Sequence, residues 1–206
     1  MNTKTAIIIV GLLLLVGGAA VASPGAAMVA AFSLAFSLNN TQRSNILLIS
    51  KAFQQYGDKD YRKLVYILAT SWHESRLQSI REYKAAAGSP VWENYQKKYW
   101  DTGYYGRGFA QLTWDYNYQK MGNWLGIDLL GNPDLALDPA IGAKILVYGM
   151  MNGSFTGKRL SDYINQTGAD YVNARKTTNG LWVNGVNTGT IIAGYTQNVL
   201  ANLPNA

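Results

Sequence analysis

Leu64-Val65-Tyr66-Ile67-Leu68-Ala69-Thr70-Ser71-Trp72-His73-Glu74 runs through nine residues without a charge and then presents a carboxylate. A helix that is apolar around its whole girth belongs in the middle of a domain rather than on its surface. The pattern predicts a buried helix over 60–77, with Glu74 near its carboxyl end. That position suits a general acid. Apolar surroundings disfavour the ionised carboxylate, and the negative end of the helix acts in the same direction, so the proton is kept near neutral pH. The competing reading is a surface glutamate paired with Arg76 or Arg81.

Working outward from Glu74, the chain holds two further glutamates, Glu82 and Glu93. Glu82 follows by eight residues, which on one continuous helix would set the two about 12 Å apart along the axis. A turn between them would bring them closer. Acid–base cleavage of a glycosidic bond needs two carboxyl groups flanking that bond, roughly 6.5–9.5 Å apart where a water must fit between. Glu93 is the reserve carboxylate, in the aromatic stretch Trp92-Glu93-Asn94-Tyr95; the alternative for it is a solvated loop residue.

Composition removes most other chemistries. The chain has no cysteine, so disulfides, thiol catalysis and Cys-ligated zinc are excluded. Its one histidine, His73, cannot build a multi-histidine zinc site, and Leu77 stands where a zincin motif would need its second histidine. No nucleophile-elbow sequence accompanies His73 for a serine triad. Neither metal nor cofactor is expected, and carboxylates are left as the candidates. The 206 residues allow one domain plus a short extra segment, and 48% hydrophobic with 15% charged residues is ordinary for a folded chain. The net charge of +6 suits anionic surfaces. No Lys/Arg run exceeds two residues, so a nucleic-acid partner is not expected. Fourteen tyrosines and six tryptophans fill the core for the most part; the remainder suit a sugar groove, where flat rings meet apolar sugar faces.

The rest of the chain reads as mainly helical. Helices are predicted over 42–56, capped by Asn40 or Thr41 with Ile46, Ile49 and Phe53 on one side; over about 117–125; over 139–151, with Ile141, Ile145 and Tyr148 inward; over 160–176; and over 190–200. Two glycines around an arginine in Tyr105-Gly106-Arg107-Gly108 imply a tight backbone against a ligand or another element. Gln111 and Thr113 alternate with apolar neighbours, which predicts a short strand over 108–113 pointing both into a groove.

The amino terminus is different. No charge occurs between Lys4 and Arg43, and Ala6 to Ala22 is nearly unbroken apolar sequence, followed after Pro24-Gly25 by a second apolar stretch from Ala26 to Leu38. Residues 6–38 read as a cleavable signal or a membrane anchor, with the following domain outside the cytoplasm; a core helix of a soluble fold is the third possibility. The boundary is expected at 38, with segment 1–38 preceding a domain over 39–206. A holin-like, membrane-active role of residues 6–38 is a rival to enzyme function.

Four segments resemble glycoside hydrolase family 19, the chitinases and related phage and bacterial endolysins. They are His73-Glu74-Ser75; Tyr105-Gly106-Arg107-Gly108-Phe109-Ala110-Gln111-Leu112-Thr113 with Tyr116-Asn117-Tyr118; Leu129 to Pro139, with Asn132-Pro133-Asp134 and Asp138-Pro139; and Arg175 with Asn179-Gly180. The resemblance implies an α+β lysozyme-like fold, two-lobed, with a small β element and a substrate cleft. It implies Glu74 as general acid and Thr113 as the hydroxyl that helps hold the attacking water. Tyr105, Gln111, Asn117, Arg175 and Asn179 would bind or support sugar. Arg81-Glu82 resembles the short segment that carries the second glutamate in the endolysin branch, which makes Glu82 the base. Residues 84–103 are unlike the family in detail. Peptidoglycan is the expected substrate, from the exported or membrane-bound start and from the short, endolysin-like segment after Glu74, with chitin as the alternative. A non-catalytic wall-binding protein or virion component is the reading from another class.

Overall fold

The computed structural model describes residues 23–183 and 185–203. Its helices are α1 (Pro24–Ala35), α2 (Asn40–Tyr56), α3 (Tyr61–Ser75), α4 (Pro90–Asn94), α5 (Asp115–Leu125), α6 (Pro139–Asn152) and α7 (Thr188–Leu200). Three two-stranded antiparallel ribbons interrupt them: β1 (Ile80–Arg81) with β2 (Arg107–Gly108), β3 (Ile164–Asn165) with β4 (Gly168–Ala169), and β5 (Trp182–Val183) with β6 (Val186–Asn187).

The buried centre is α3. Every residue from Leu64 to Ser71 is buried. Asp60 caps its first turn through Arg62 N, and the helix ends where Arg76 and Leu77 both take left-handed backbone angles. Two buried side chains of α2 make that ending possible. Gln42 Nε2 donates to Arg76 O at 3.0 Å and Asn45 Nδ2 to Leu77 O at 2.8 Å, satisfying carbonyls that a helix end leaves open. The same Gln42 closes a capping box with Asn39 at the start of α2. One amphipathic helix therefore fixes its own beginning and the turn that follows Glu74.

Two hydrophobic clusters share α6. Ala143, Leu146, Val147 and Met150 face the larger one, formed with α1, α2, α3 and α7; Ile145 faces the smaller, with Leu112, Tyr118, Met121, Leu129 and Ala136. Ile141 and Tyr148 pack partly buried against the smaller cluster, as their spacing predicts.

Two readings are corrected. The stretch 26–38 does not form a membrane-spanning helix. Ser23 caps α1 and Pro24 opens it, and its 12 residues span about 18 Å, short of a hydrocarbon core of roughly 30 Å. Met28, Ala31 and Phe32 are buried against α2 and α7, and Phe36 sits 4.5 Å from Trp72 and edge-on to Tyr195. The helix is apolar on nearly all sides because it lies against two partners at once. A Cβ on Gly25 would meet Leu47 Cδ2 at 3.1 Å, so the approach to α2 is close. Thus α1 belongs to the helical body, on the far side of the expected boundary at 38. Among the described residues no helix is long and apolar enough to cross a membrane. The first apolar run, 6–22, lies outside the described residues.

The helix expected over 160–176 is also absent. In its place stand a 3₁₀ turn at Leu160–Asp162, the β3–β4 ribbon and a second 3₁₀ turn at Asn173–Thr177. Asn165 Oδ1 accepts from both Thr167 N (2.9 Å) and Thr167 Oγ1 (2.6 Å), and Gly168 follows. Local side-chain bonds of this kind compete with the helix for the same backbone.

Candidate active site

A cleft of about 1040 Å³ lies open along one side of the molecule, and Glu74, Glu82, Gln111, Thr113, Asn117 and Asn179 all line it. The two carboxylates reach it from unlike supports.

Glu74 projects from the last turn of α3. It is 24% exposed, and its Oε1 accepts from Nη1 of Arg175, which is 2% exposed. Arg175 Nη1 also donates to Thr178 Oγ1 at 3.1 Å. The wholly apolar surroundings expected for Glu74 are replaced by an ion pair with a buried guanidinium. Neither of the expected surface partners takes part. Arg76 lies over the Trp72 ring at 5.2 Å and Arg81 pairs with Asp134. Neighbouring His73 is half-buried and does not line the cleft. Burial, together with the charges of Arg175 and Arg76, holds its imidazole below the ordinary value against the opposing pull of Glu74.

Glu82 follows the turn and β1. The register Ile80 with Gly108 and Arg81 with Arg107 continues into Glu82 N donating to Gly106 O at 2.8 Å. Its carboxyl group receives three donors. Gln96 Nε2 (2.8 Å) and Tyr99 Oη (2.7 Å) reach Oε1, and Gly106 N (3.0 Å) reaches Oε2. An all-donor surround fits a carboxylate, which can only accept. Burial, then the bond to Glu82 and its charge, push the Tyr99 phenol well above its ordinary value, so it stays a donor.

The two glycines of 105–108 earn their places by close approach. A Cβ on Gly106 would lie 2.8 Å from Gln111 Oε1 and 3.2 Å from Glu82 Oε2. Gly108 has φ +76°, and a Cβ there would meet Ala136 O at 2.6 Å. Between them Arg107 is buried. Its Nε donates to Asp134 Oδ1 (2.8 Å), its Nη1 donates to Gly103 O (2.9 Å), and its guanidinium lies 3.9 Å over the Tyr105 ring.

Gln111 and Thr113 face the cleft, but from a turn instead of the expected strand: Gln111 has φ +50° and Trp114 φ +74°. Gln111 Nε2 donates to Ile80 O (3.1 Å) and Gly108 O (2.9 Å), Thr113 Oγ1 to Gln111 O (2.9 Å), and Asn117 Nδ2 to Thr113 O (2.9 Å). Thr113 lines the cleft, and among the described residues none donates to its hydroxyl.

Three expected residues lie elsewhere. Tyr105 is not in the cleft wall; it is stacked 4.4 Å from Trp100 and capped by Arg107, a structural role. Arg175 stands behind the wall and meets the cleft through Glu74. Glu93 is exposed on α4, pairs with Lys97 at 2.9 Å and does not line the cleft. Conversely, Gln96, Tyr99 and Trp182 line the cleft with no signal in the sequence. Gln96 opens a short 3₁₀ turn and Tyr99 separates it from a second, in a stretch with no periodic pattern, and Trp182, 66% exposed on the β5–β6 ribbon, is one aromatic among many.

A family model described as chitinase class I, of glycoside hydrolase family 19, matches residues 76–199. Inactive chitinase-like protein 1 of Hevea brasiliensis is 41% identical over 91 residues, 42% of this chain and 29% of that protein. Endochitinase 1 of Theobroma cacao is 40% identical over 91 residues, 42% and 28% respectively. The matched region thus spans under a third of these relatives' length. Chitinase C from Streptomyces griseus superposes with a TM-score of 0.56 at 25% identity, over 87% of this chain and 91% of that one. A class IV chitinase from Zea mays has the same fold, with a TM-score of 0.52 at 21% identity over 81% and 86%.

Proposed function

This chain belongs to the chitinase class I family of glycoside hydrolases, family 19, and from that premise we propose that it is a wall-lytic glycosidase that hydrolyses β-1,4 bonds of peptidoglycan with inversion. The observation that carries the reading is the meeting of Glu74 and Glu82 on one cleft, each held by its own support. Glu74 protonates the leaving oxygen. Glu82, whose orientation is set by three donors, takes a proton from a water that also donates to Thr113 Oγ1. The water attacks the anomeric carbon from the face opposite the leaving group, and the product anomer is inverted.

Peptidoglycan is favoured over chitin by the eight-residue step from Glu74 to Glu82, short as in the endolysin branch, and by the apolar residues 6–22, which suit export to a cell wall or attachment outside the cytoplasm. Chitin remains the second reading, because the relatives bear chitinase names. A binding protein without turnover, or a virion component of that kind, is disfavoured by the presence of both carboxylates and Thr113 in the cleft. Turbidity loss of peptidoglycan, measured beside release of sugars from chito-oligosaccharides, tests the choice. Clearing of peptidoglycan that vanishes in Glu74→Gln is expected; activity on chitin alone contradicts it.

A further inference from the structure

The cleft carries an unbalanced charge away from its two carboxylates. Glu74 and Glu82 are the acidic residues that line it, and Glu74 is already paired with Arg175. Lys98, Lys158 and Lys176 also line it, and none of the three has an ion-pair partner among the described residues. Two of these lysines are tied together. Thr156 Oγ1 donates to Lys176 O at 2.5 Å and accepts from Lys158 N at 3.3 Å, so one hydroxyl joins the turn after α6 to the 3₁₀ turn that carries Arg175. Both lysines are exposed on that wall. The acids nearest in sequence are engaged locally: Asp170 accepts from Asn173 N and Nδ2 (2.9 and 2.7 Å), and Asp162 from Arg159 N (2.9 Å). The charge of Lys176 helps hold Asp170 low, after the larger effect of its bonds from Asn173. Neither acid lines the cleft.

We propose that Lys158 and Lys176 form an anion subsite on the Glu74 wall that receives a carboxylate borne by the glycan chain. The inference rests on, and deepens, the reading of a wall polymer as substrate. Neutral chitin carries no such group. A wall glycan offers two sources with the same chemistry, a carboxylate ether-linked to the sugar and the carboxylates of attached peptides. Contacts of exposed lysines with a carboxylate are individually modest and fall with salt, so discrimination should be several-fold and should fade as ionic strength rises.

The test uses the full chain carrying Glu74→Gln, so that ligands survive, with and without Lys158→Met plus Lys176→Met. Calorimetry at low and high salt compares three probes: chitotetraose, a muramic-acid-containing tetrasaccharide without peptide, and the same tetrasaccharide with peptide. The double substitution is expected to weaken the anionic probes about fivefold at low salt and chitotetraose less than twofold, with the gap shrinking at high salt. A loss confined to the peptide-bearing probe assigns the subsite to the peptide; a loss in both assigns it to the sugar-borne group. Equal losses on neutral and anionic probes, no loss, or no preference for anionic probes in the parent would overturn the subsite. Hydrolysis of peptidoglycan by the unsubstituted protein is scored separately. If it fails while the anionic preference and its lysine dependence persist, the substrate reading falls and the subsite stands.

Discussion

The two walls of the cleft are built on different principles. The Glu74 wall is the end of a helix buried from Leu64 to Ser71, and its turn is pinned by Gln42 and Asn45 from α2. The Glu82 wall is a two-residue ribbon followed by a loop, where the carboxylate depends on donors from Gln96, Tyr99 and Gly106. Packing over-determines the first. The second is held by individual hydrogen bonds, each worth about 1.5–3 kcal/mol when one partner is charged. The difference suits the division of labour proposed above. The acid must meet one oxygen in a fixed place, whereas the base must orient toward a water.

Substitutions can break this contrast or sharpen it. The largest effect is expected from Glu74→Gln, which keeps the shape and removes the proton. Turnover should fall about 10²–10⁴-fold, with sugar affinity by calorimetry within a few-fold of the parent. Glu82→Gln should cost a similar factor in kcat, whereas Glu93→Gln should leave kcat unchanged and alter stability by under about 0.5 kcal/mol, because its pair with Lys97 is exposed. A lethal Glu93 change with an active Glu82 variant would reverse the base assignment. Tyr99→Phe comes next. It removes one donor from Glu82 and should lower kcat about tenfold, with the melting temperature falling by only a few degrees. A comparable change on the opposite wall, Thr178→Val, leaves the Arg175–Glu74 pair in place and should have a smaller effect on kcat.

The smallest effect concerns pH. Burial pulls the Asp134 carboxyl up, but its bond to Arg107 and the charges of Arg107 and Arg81 outweigh burial and hold it below its ordinary value of 3.8. A depressed folded-state value means that the carboxylate stabilises the fold above the unfolded value and loses that contribution as pH falls through the folded one. Asp134 is 48% exposed, so the amount is under about 1 kcal/mol. Asp134→Asn should lower the melting temperature slightly at pH 7, and the difference from the parent should close below about pH 4. A difference that widens at low pH would contradict the sign.

What was legible in the sequence divides along the same line as the walls. The charge-free run before His73-Glu74 marks α3, and Ile46, Ile49 and Phe53 mark the buried side of α2, because burial leaves periodic traces, although the cap of α2 is Asn39 and not Asn40 or Thr41. Gly106 and Gly108 were legible as a close approach, since a Cβ would clash at both. The carboxylate of Glu82 could be named, but not its holders, because hydrogen-bond donors brought in by a loop leave no spacing to read. For α1, the sequence shows a membrane-like hydropathy, while its burial depends on packing against α2, which follows it directly, and α7, which lies far along the chain. The segment 160–176 carried helical spacing, and the Asn165–Thr167 turn overrode it.

Single displacement requires a water held by Glu82 and Thr113 on the face of the sugar opposite Glu74. Proton NMR of the newly formed reducing end, recorded before mutarotation, tests it most directly. The α-anomer appearing first from the β-linked substrate is the predicted result; the β-anomer appearing first would contradict it.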